Sequence, residues 1–154
     1  MELVGEVLKE KPLPVSSEVI FSDIGLLYPP FAQKIQTLLA RARAEGLQVT
    51  LYETYRSQER QEQLFAKGVT QLRQNSMHQF GVAADLAFEG STCVADTPER
   101  DWCRLGALGK ALGLYWGGDW RGFKDYPHFQ FVPATKREQR KIIAGKYPPL
   151  EQAR

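Results

Sequence analysis

The sequence predicts a small α+β domain in which helices pack against an antiparallel sheet. Two segments carry apolar residues at helical spacing, two more open on helix-capping residues, and short runs between them read as strands. No internal repeat or low-complexity stretch interrupts the pattern. At 154 residues the chain is long enough for one hydrophobic core and too short for two ordinary domains. Residues 1–154 are therefore read as a single domain, with an irregular arm over about 1–28 and a loose tail over about 146–154.

The arm holds Pro12, Pro14, Ser16, Ser17 and Gly25, with a short strand expected around Glu18–Phe21. From Pro30 onward, Phe31, Ile35, Leu38, Leu39 and Ala42 follow helical spacing, and Gly46 ends that helix. Leu47–Tyr52 alternates as a strand should. Ser57 caps a second helix running to Lys67, with Gly68 after it. A loop over Asn75–Gly81 leads into a strand at Val82–Phe88. Thr97-Pro98-Glu99 opens a third helix with a capping residue and a first-turn proline; its stripe is Trp102, Leu105, Leu108 and Leu112, and Gly113 closes it. Tyr115–Trp120 is a glycine-broken turn region before a last strand, His128–Val132. Thr135-Lys136-Arg137-Glu138 forms a capping box for a basic terminal helix reaching Ala144.

Composition, 43% hydrophobic and 25% charged, is that of a soluble globular protein. A net charge of +2 is too weak to argue for nucleic acid, and no Lys/Arg run is interleaved with aromatics. No apolar run approaches the roughly 20 residues of a membrane span, and the N-terminus lacks a signal-peptide pattern, so synthesis in the cytoplasm is expected. Cys93 and Cys103 form no C-x-x-C pair and do not read as a zinc knuckle. Cys103, next to Trp102 on a helix, reads as a buried thiol; a Cys93–Cys103 disulfide is the minority alternative without a secretory signal.

The chemistry concentrates in Ser76-Met77-His78-Gln79-Phe80-Gly81-Val82-Ala83-Ala84-Asp85 and in Asp125-Tyr126-Pro127-His128-Phe129, which use both of the chain's histidines. Two imidazoles and one carboxylate leave one position open on a tetrahedral zinc, as a hydrolytic site requires. Period-two alternation puts Asp85 on one strand face with Ala83 and Ala87, and gives His128 and Gln130 a common face. If those strands pair, Asp85 and His128 approach, and a turn at Gly81 must fold His78 back.

Pro127 makes Asp125 part of an extended or turned lead-in. Two readings stand for that carboxylate: a general base beside the metal, or an Asx-turn residue. Arg56, between a strand end and a helix cap, either binds a carboxylate or oxyanion or is a surface arginine pairing with Glu53 or Glu59. Trp116 and Trp120 are core or rim packing or else substrate walls, and Asp119 reads as a turn residue.

The segment Ser76-x-His78-x-x-Gly81-x-Ala83-x-Asp85 resembles the S-x-H-x-x-G-x-A-x-D motif of the M15 metallopeptidases, enzymes acting on peptidoglycan peptides, at every fixed position. The resemblance extends to Tyr55-Arg56-Ser57 ahead of a Gln-rich helix, to Trp116-Gly117-Gly118-Asp119-Trp120 and to Asp125-Tyr126-Pro127-His128-Phe129, covering roughly residues 30–132. It implies Zn²⁺ held by His78, Asp85 and His128, with Asp125 as catalytic base and Arg56 as the substrate or transition-state arginine. Ser76 would help position the peptide, and Trp116 and Trp120 would border it.

Two departures are small: the base is Asp where dipeptidase relatives use Glu, and Gln130 stands where many relatives carry Glu. The Asp form and the W-G-G-D-W run look most like the phage endolysin branch, the L-alanyl-D-glutamate endopeptidases. The resemblance thus implies a monomeric hydrolase that cuts the peptidoglycan stem peptide after release, with a separate pore-forming protein for export. A D-alanyl-D-alanine carboxypeptidase is the alternative enzyme. A non-catalytic zinc-holding binding module like the Hedgehog signalling domain is the alternative of another class.

Overall fold

A computed structural model describes residues 18–150. Helix α1 (Pro29–Ala44) forms because Phe31, Ile35, Leu38 and Ala42 fall on one stripe, and all four are fully buried. Prolines are tolerated at its start, where backbone N–H groups have no helical partner. Then come β1 (Val49–Glu53), α2 (Gln58–Ala66), β2 (Ala83–Phe88), α3 (Glu99–Ala111), β3 (Tyr115–Trp116), β4 (His128–Gln130) and α4 (Lys136–Ile143). The four strands make one sheet in the order β1-β2-β4-β3, with every neighbouring pair antiparallel. This is the expected α+β architecture.

The two faces of the sheet have different tasks. Phe129 of β4 is fully buried against α3, occupying the space where a side chain on Gly109 would otherwise sit, with Leu38 of α1 beside it. His128 and Gln130, one residue either side, are turned to the opposite face by the pleat. Asp85 of β2 is the direct partner of His128 in the ladder, as strand alternation anticipated. Between Leu51 and Glu53 the β1–β2 register slips, so that Glu53 instead of Tyr52 stands opposite Asp85. A bulge of this kind re-aims side chains locally, and here it turns a second carboxylate inward.

Several expectations need correction. Glu18–Phe21 forms no strand: the Phe21 carbonyl accepts from Thr54 N (2.7 Å), and a 3₁₀ turn at Ile24–Leu26 follows. The rest of the arm, residues 1–17, and tail residues 151–154 lie outside the described residues. Pro98 occupies the N-cap of α3 without a side-chain cap, while the Thr97 hydroxyl pairs with Ser91 at 3.0 Å. Half of the expected box at α4 forms: Thr135 accepts from Glu138 N, but the Glu138 carboxylate goes to Lys141.

The segment after α4 is not loose. Tyr147 is buried, donates to the Phe80 carbonyl (2.6 Å) and packs on Tyr28, whose hydroxyl donates to the Pro148 carbonyl. This strap braces the turn that carries His78. Cys103 is exposed instead of buried, and both cysteines are free thiols. Among the described residues, no helix is long and apolar enough to cross a membrane.

Gly106 offers a test of the packing. In a helix interior, Gly→Ala ordinarily stabilises by about 1 kcal/mol. Here the new Cβ would lie 2.4 Å from the Trp116 ring, so the indole must move. Gly106→Ala should therefore destabilise by about 1–3 kcal/mol, as core overpacking does. A denaturation midpoint equal to or above the parent's would contradict this packing.

Candidate metal centre and cleft

His78 sits on a 3₁₀ turn, Met77–Phe80, that exists because Ser76 and Gln79 cap it reciprocally. The Ser76 hydroxyl accepts from His78 N (3.4 Å), and the Gln79 amide oxygen accepts from Ser76 N (3.0 Å). Gly81 ends the turn at φ +71°, against the backbone of Leu26–Tyr28, where a Cβ would be both strained and crowded. The fold-back that the sequence demanded of Gly81 is thus met.

The protonation pattern of the two histidines follows from their partners. His78 Nδ1 lies 2.9 Å from the Thr54 carbonyl, which can only accept, so Nδ1 carries the proton and Nε2 presents a lone pair. Gln130 donates through Nε2 to the Val132 carbonyl (2.9 Å), which leaves its Oε1 to accept from His128 Nε2 (2.8 Å). With one proton on each ring, His128 Nδ1 is then the nitrogen that presents the other lone pair. Both face Asp85 Oδ1, at 3.3 and 3.4 Å.

The three donor atoms lie within 4.8 Å of one another. His78 Nε2 and Asp85 Oδ1 are buried without a hydrogen-bond partner, a costly condition for polar atoms unless something else satisfies them. Two imidazoles anchored through their outer nitrogens and one carboxylate form a donor set that fits zinc. Burial pushes the Asp85 carboxyl up, but the two imidazoles outweigh it and hold it well below the usual carboxylate range. For His128, burial opposes the imidazolium while Asp85 and Asp125 favour it, with a raised pKa as the result.

Asp125 stands at the rim. Its backbone N donates to the Gly117 carbonyl (2.9 Å), and its carboxylate Oδ2 is 3.9 Å from His128 Nδ1. A Cβ on Gly117 would meet the Asp125 carbonyl at 2.3 Å, so glycine there is what lets this segment approach. Burial, then the Asp85 charge, raises the Asp125 pKa. Its side chain makes no turn hydrogen bond among the described residues, so the Asx-turn reading lapses.

Arg56 is buried instead of exposed, at 7%. It does pair with Glu53, but in the interior: Nη2 reaches Glu53 Oε1 (2.9 Å) and Asp85 Oδ2 (3.4 Å), and Nη1 reaches Gln61 Oε1 (2.9 Å). Trp120 packs its ring 4.8 Å from that of His128 and lines the cleft. Trp116 takes no place there. Its indole is buried beneath the site, donating to the Tyr126 carbonyl (2.8 Å), so the expectation of a substrate wall is corrected to core packing.

The cleft has a volume of about 930 Å³ and passes over all three donor residues. Its walls include Ser76, Leu72, Trp102, Trp120 and Phe123. Reasoning from sequence missed two of the groups behind the donors, Thr54 and Gln61, and named Glu53 only as a surface partner of Arg56. Gln130 was legible through its shared face with His128, but Thr54 acts through its backbone carbonyl, which no side-chain pattern reveals.

Four comparisons with known proteins stand beside this geometry. A family model for M15 peptidases, described as D-alanyl-D-alanine carboxypeptidase, matches residues 70–131. The peptidoglycan L-alanyl-D-glutamate endopeptidase CwlK of Bacillus subtilis is 33% identical over 124 residues, covering 70% of this chain and 74% of that protein. An L-alanyl-D-glutamate peptidase of a Listeria phage is 38% identical over 96 residues, covering 61% of this chain but only 34% of the phage protein. The fold is similar to that of the Serratia marcescens L-Ala D-Glu endopeptidase ChiX, with a TM-score of 0.58, 24% identity, and coverage of 74% of this chain and 90% of that one.

The Gln130 relay can be tested directly. Gln130→Leu removes the acceptor that fixes the His128 tautomer, and loss of such an outer partner typically costs ~10- to 100-fold in metal affinity. Zinc affinity measured by chelator competition should fall by that factor. Unchanged affinity would mean that His128 needs no anchor.

Proposed function

The chain belongs to the M15 peptidases, and from that premise we propose that it is a zinc-dependent peptidoglycan hydrolase cutting the L-alanyl-D-glutamate amide of the stem peptide. The observation that carries the reading is the convergence of His78 Nε2, Asp85 Oδ1 and His128 Nδ1 on one side of a cleft bordered by Asp125. The choice of bond rests on the 33% identity to CwlK across 74% of that protein.

His78, Asp85 and His128 would hold the metal. When bound, zinc acts as a Lewis acid on the amide carbonyl and lowers the pKa of water toward neutrality. Asp125 takes the proton from the attacking water and returns it to the leaving amine. Burial and the nearby Asp85 charge raise its basicity above that of an ordinary aspartate, which suits the task. Arg56 supplies a fixed positive charge for the developing oxyanion, its orientation set in advance by Glu53 and Gln61. Ser76 acts through the turn it caps, and Trp120 gives the peptide an aromatic wall next to His128.

Digestion of purified peptidoglycan, with identification of the new termini, tests the reading. New L-alanine carboxyl and D-glutamate amino ends are expected. Released D-alanine would instead favour a carboxypeptidase, the activity by which the matching family model is described, and no hydrolysis at all would leave a zinc-holding binding module.

Two variants separate the roles. Asp125→Ala should retain zinc and lose ~10²- to 10⁴-fold in turnover, as removal of a general base does. If the variant arrives without zinc, Asp125 is a ligand. Arg56→Lys keeps the charge but not the planar fork, and should cost ~10²- to 10³-fold in kcat on a stem-peptide fragment. Parent-like kcat and KM in that variant would remove Arg56 from the chemistry.

A further inference from the structure

Gln61 is fully buried on α2, and its amide is used at both ends. Its Oε1 accepts from Arg56 Nη1 at 2.9 Å. On the other side, Nε2 donates to the Leu72 carbonyl (2.5 Å) and lies 3.4 Å from Thr70 Oγ1. Thr70 Oγ1 in turn accepts from Leu72 N (3.3 Å). The amide orientation is unambiguous, because a guanidinium only donates and a carbonyl only accepts.

Those partners belong to different parts of the cleft. Arg56 stands behind Asp85, whereas residues 69–72 form a cleft wall that presents Val69 and Leu72, 55% and 47% exposed, to whatever enters. The wall has no strand or helix of its own. Its tie to the interior runs through Gln61 and through Val69 N, which donates to the Leu64 carbonyl at the end of α2 (2.9 Å).

We propose that Gln61 is a positioning residue that couples the apolar wall at 69–72 to the Arg56 guanidinium, so that substrate held against the wall fixes the arginine for the chemical step. This role rests on the proposed peptidase reading for its kinetic consequence, but the coupling itself does not. Glutamine suits it because one planar amide supplies an acceptor to the guanidinium and a donor to the wall. Glutamate would keep the first contact and set two acceptors against each other at the second. Leucine would lose both.

The experiment measures hydrogen exchange over residues 68–75 in the zinc-loaded parent, Gln61→Glu, Gln61→Leu and Arg56→Lys, with zinc content determined in each. Coupling predicts faster exchange in all three variants at undiminished zinc, including Arg56→Lys, whose changed group does not touch the wall. Parent-like exchange in Gln61→Glu or in Arg56→Lys overturns the proposal, and Gln61→Glu keeps the test intact if Gln61→Leu does not fold.

Steady-state kinetics on a stem-peptide fragment give the second reading. Gln61→Glu should lower kcat roughly tenfold, the scale of one lost buried hydrogen bond, because the wall no longer fixes the arginine for the chemical step. Gln61→Leu should lower kcat as well. Equal loss of activity in both variants, in step with loss of folded protein, would reduce Gln61 to a structural role. A parent that cuts no stem peptide refutes the peptidase reading, while the exchange data still decide the coupling.

Discussion

The Asp85 carboxylate is the group around which this molecule is arranged. It sits on a central strand of the sheet with two imidazoles against one oxygen and a guanidinium 3.4 Å from the other. A buried carboxylate is tolerable only when its charge is met, and here every neighbour that meets it comes from a different element. The turn after the α2 loop brings His78, β4 brings His128, and the connection from β1 to α2 brings Arg56. Holding four such groups within a few ångströms is the geometric demand that the fold answers.

The answers are mostly backbone devices. The slip in the β1–β2 ladder sets Glu53 opposite Asp85 and gives the guanidinium a second carboxylate. Gly117 lets the Asp125 segment come closer than any side chain would permit, and Gly81 supplies a left-handed turn packed tightly on Leu26–Tyr28. The strap at Tyr147 closes over Phe80 and braces the His78 turn from outside. Such sites need their outer shell fixed before the inner donors are useful, and Thr54 and Gln130 do this by holding the far nitrogen of each imidazole.

Much of this was readable in advance, and what was not has physical reasons. Helical spacing located α1 and α3, since a buried stripe must recur every three to four residues. Alternation placed Asp85 and His128 on faces that meet if their strands pair, and the structure pairs those strands with the two residues opposite each other. The burial of Arg56 could not be read, since it depends on a bulge that has no sequence signature. Nor could the Tyr147 strap, because a tyrosine near prolines looks the same whether it packs or not. Trp116 was misplaced because an aromatic beside glycines reads equally as wall or core, and only the small residues Gly106 and Gly118 around its ring decide for the core.

The central claim is that two imidazoles and one carboxylate of this chain bind zinc in the cleft. X-ray absorption at the zinc edge of the loaded, stoichiometric protein tests it most directly. The account predicts two imidazole nitrogens, with oxygen in the remaining positions, at distances near 2.0–2.2 Å. Sulfur bound to the zinc would place the metal on Cys93 or Cys103 instead, and that result, or a single imidazole, would contradict the assignment on which the proposed chemistry stands.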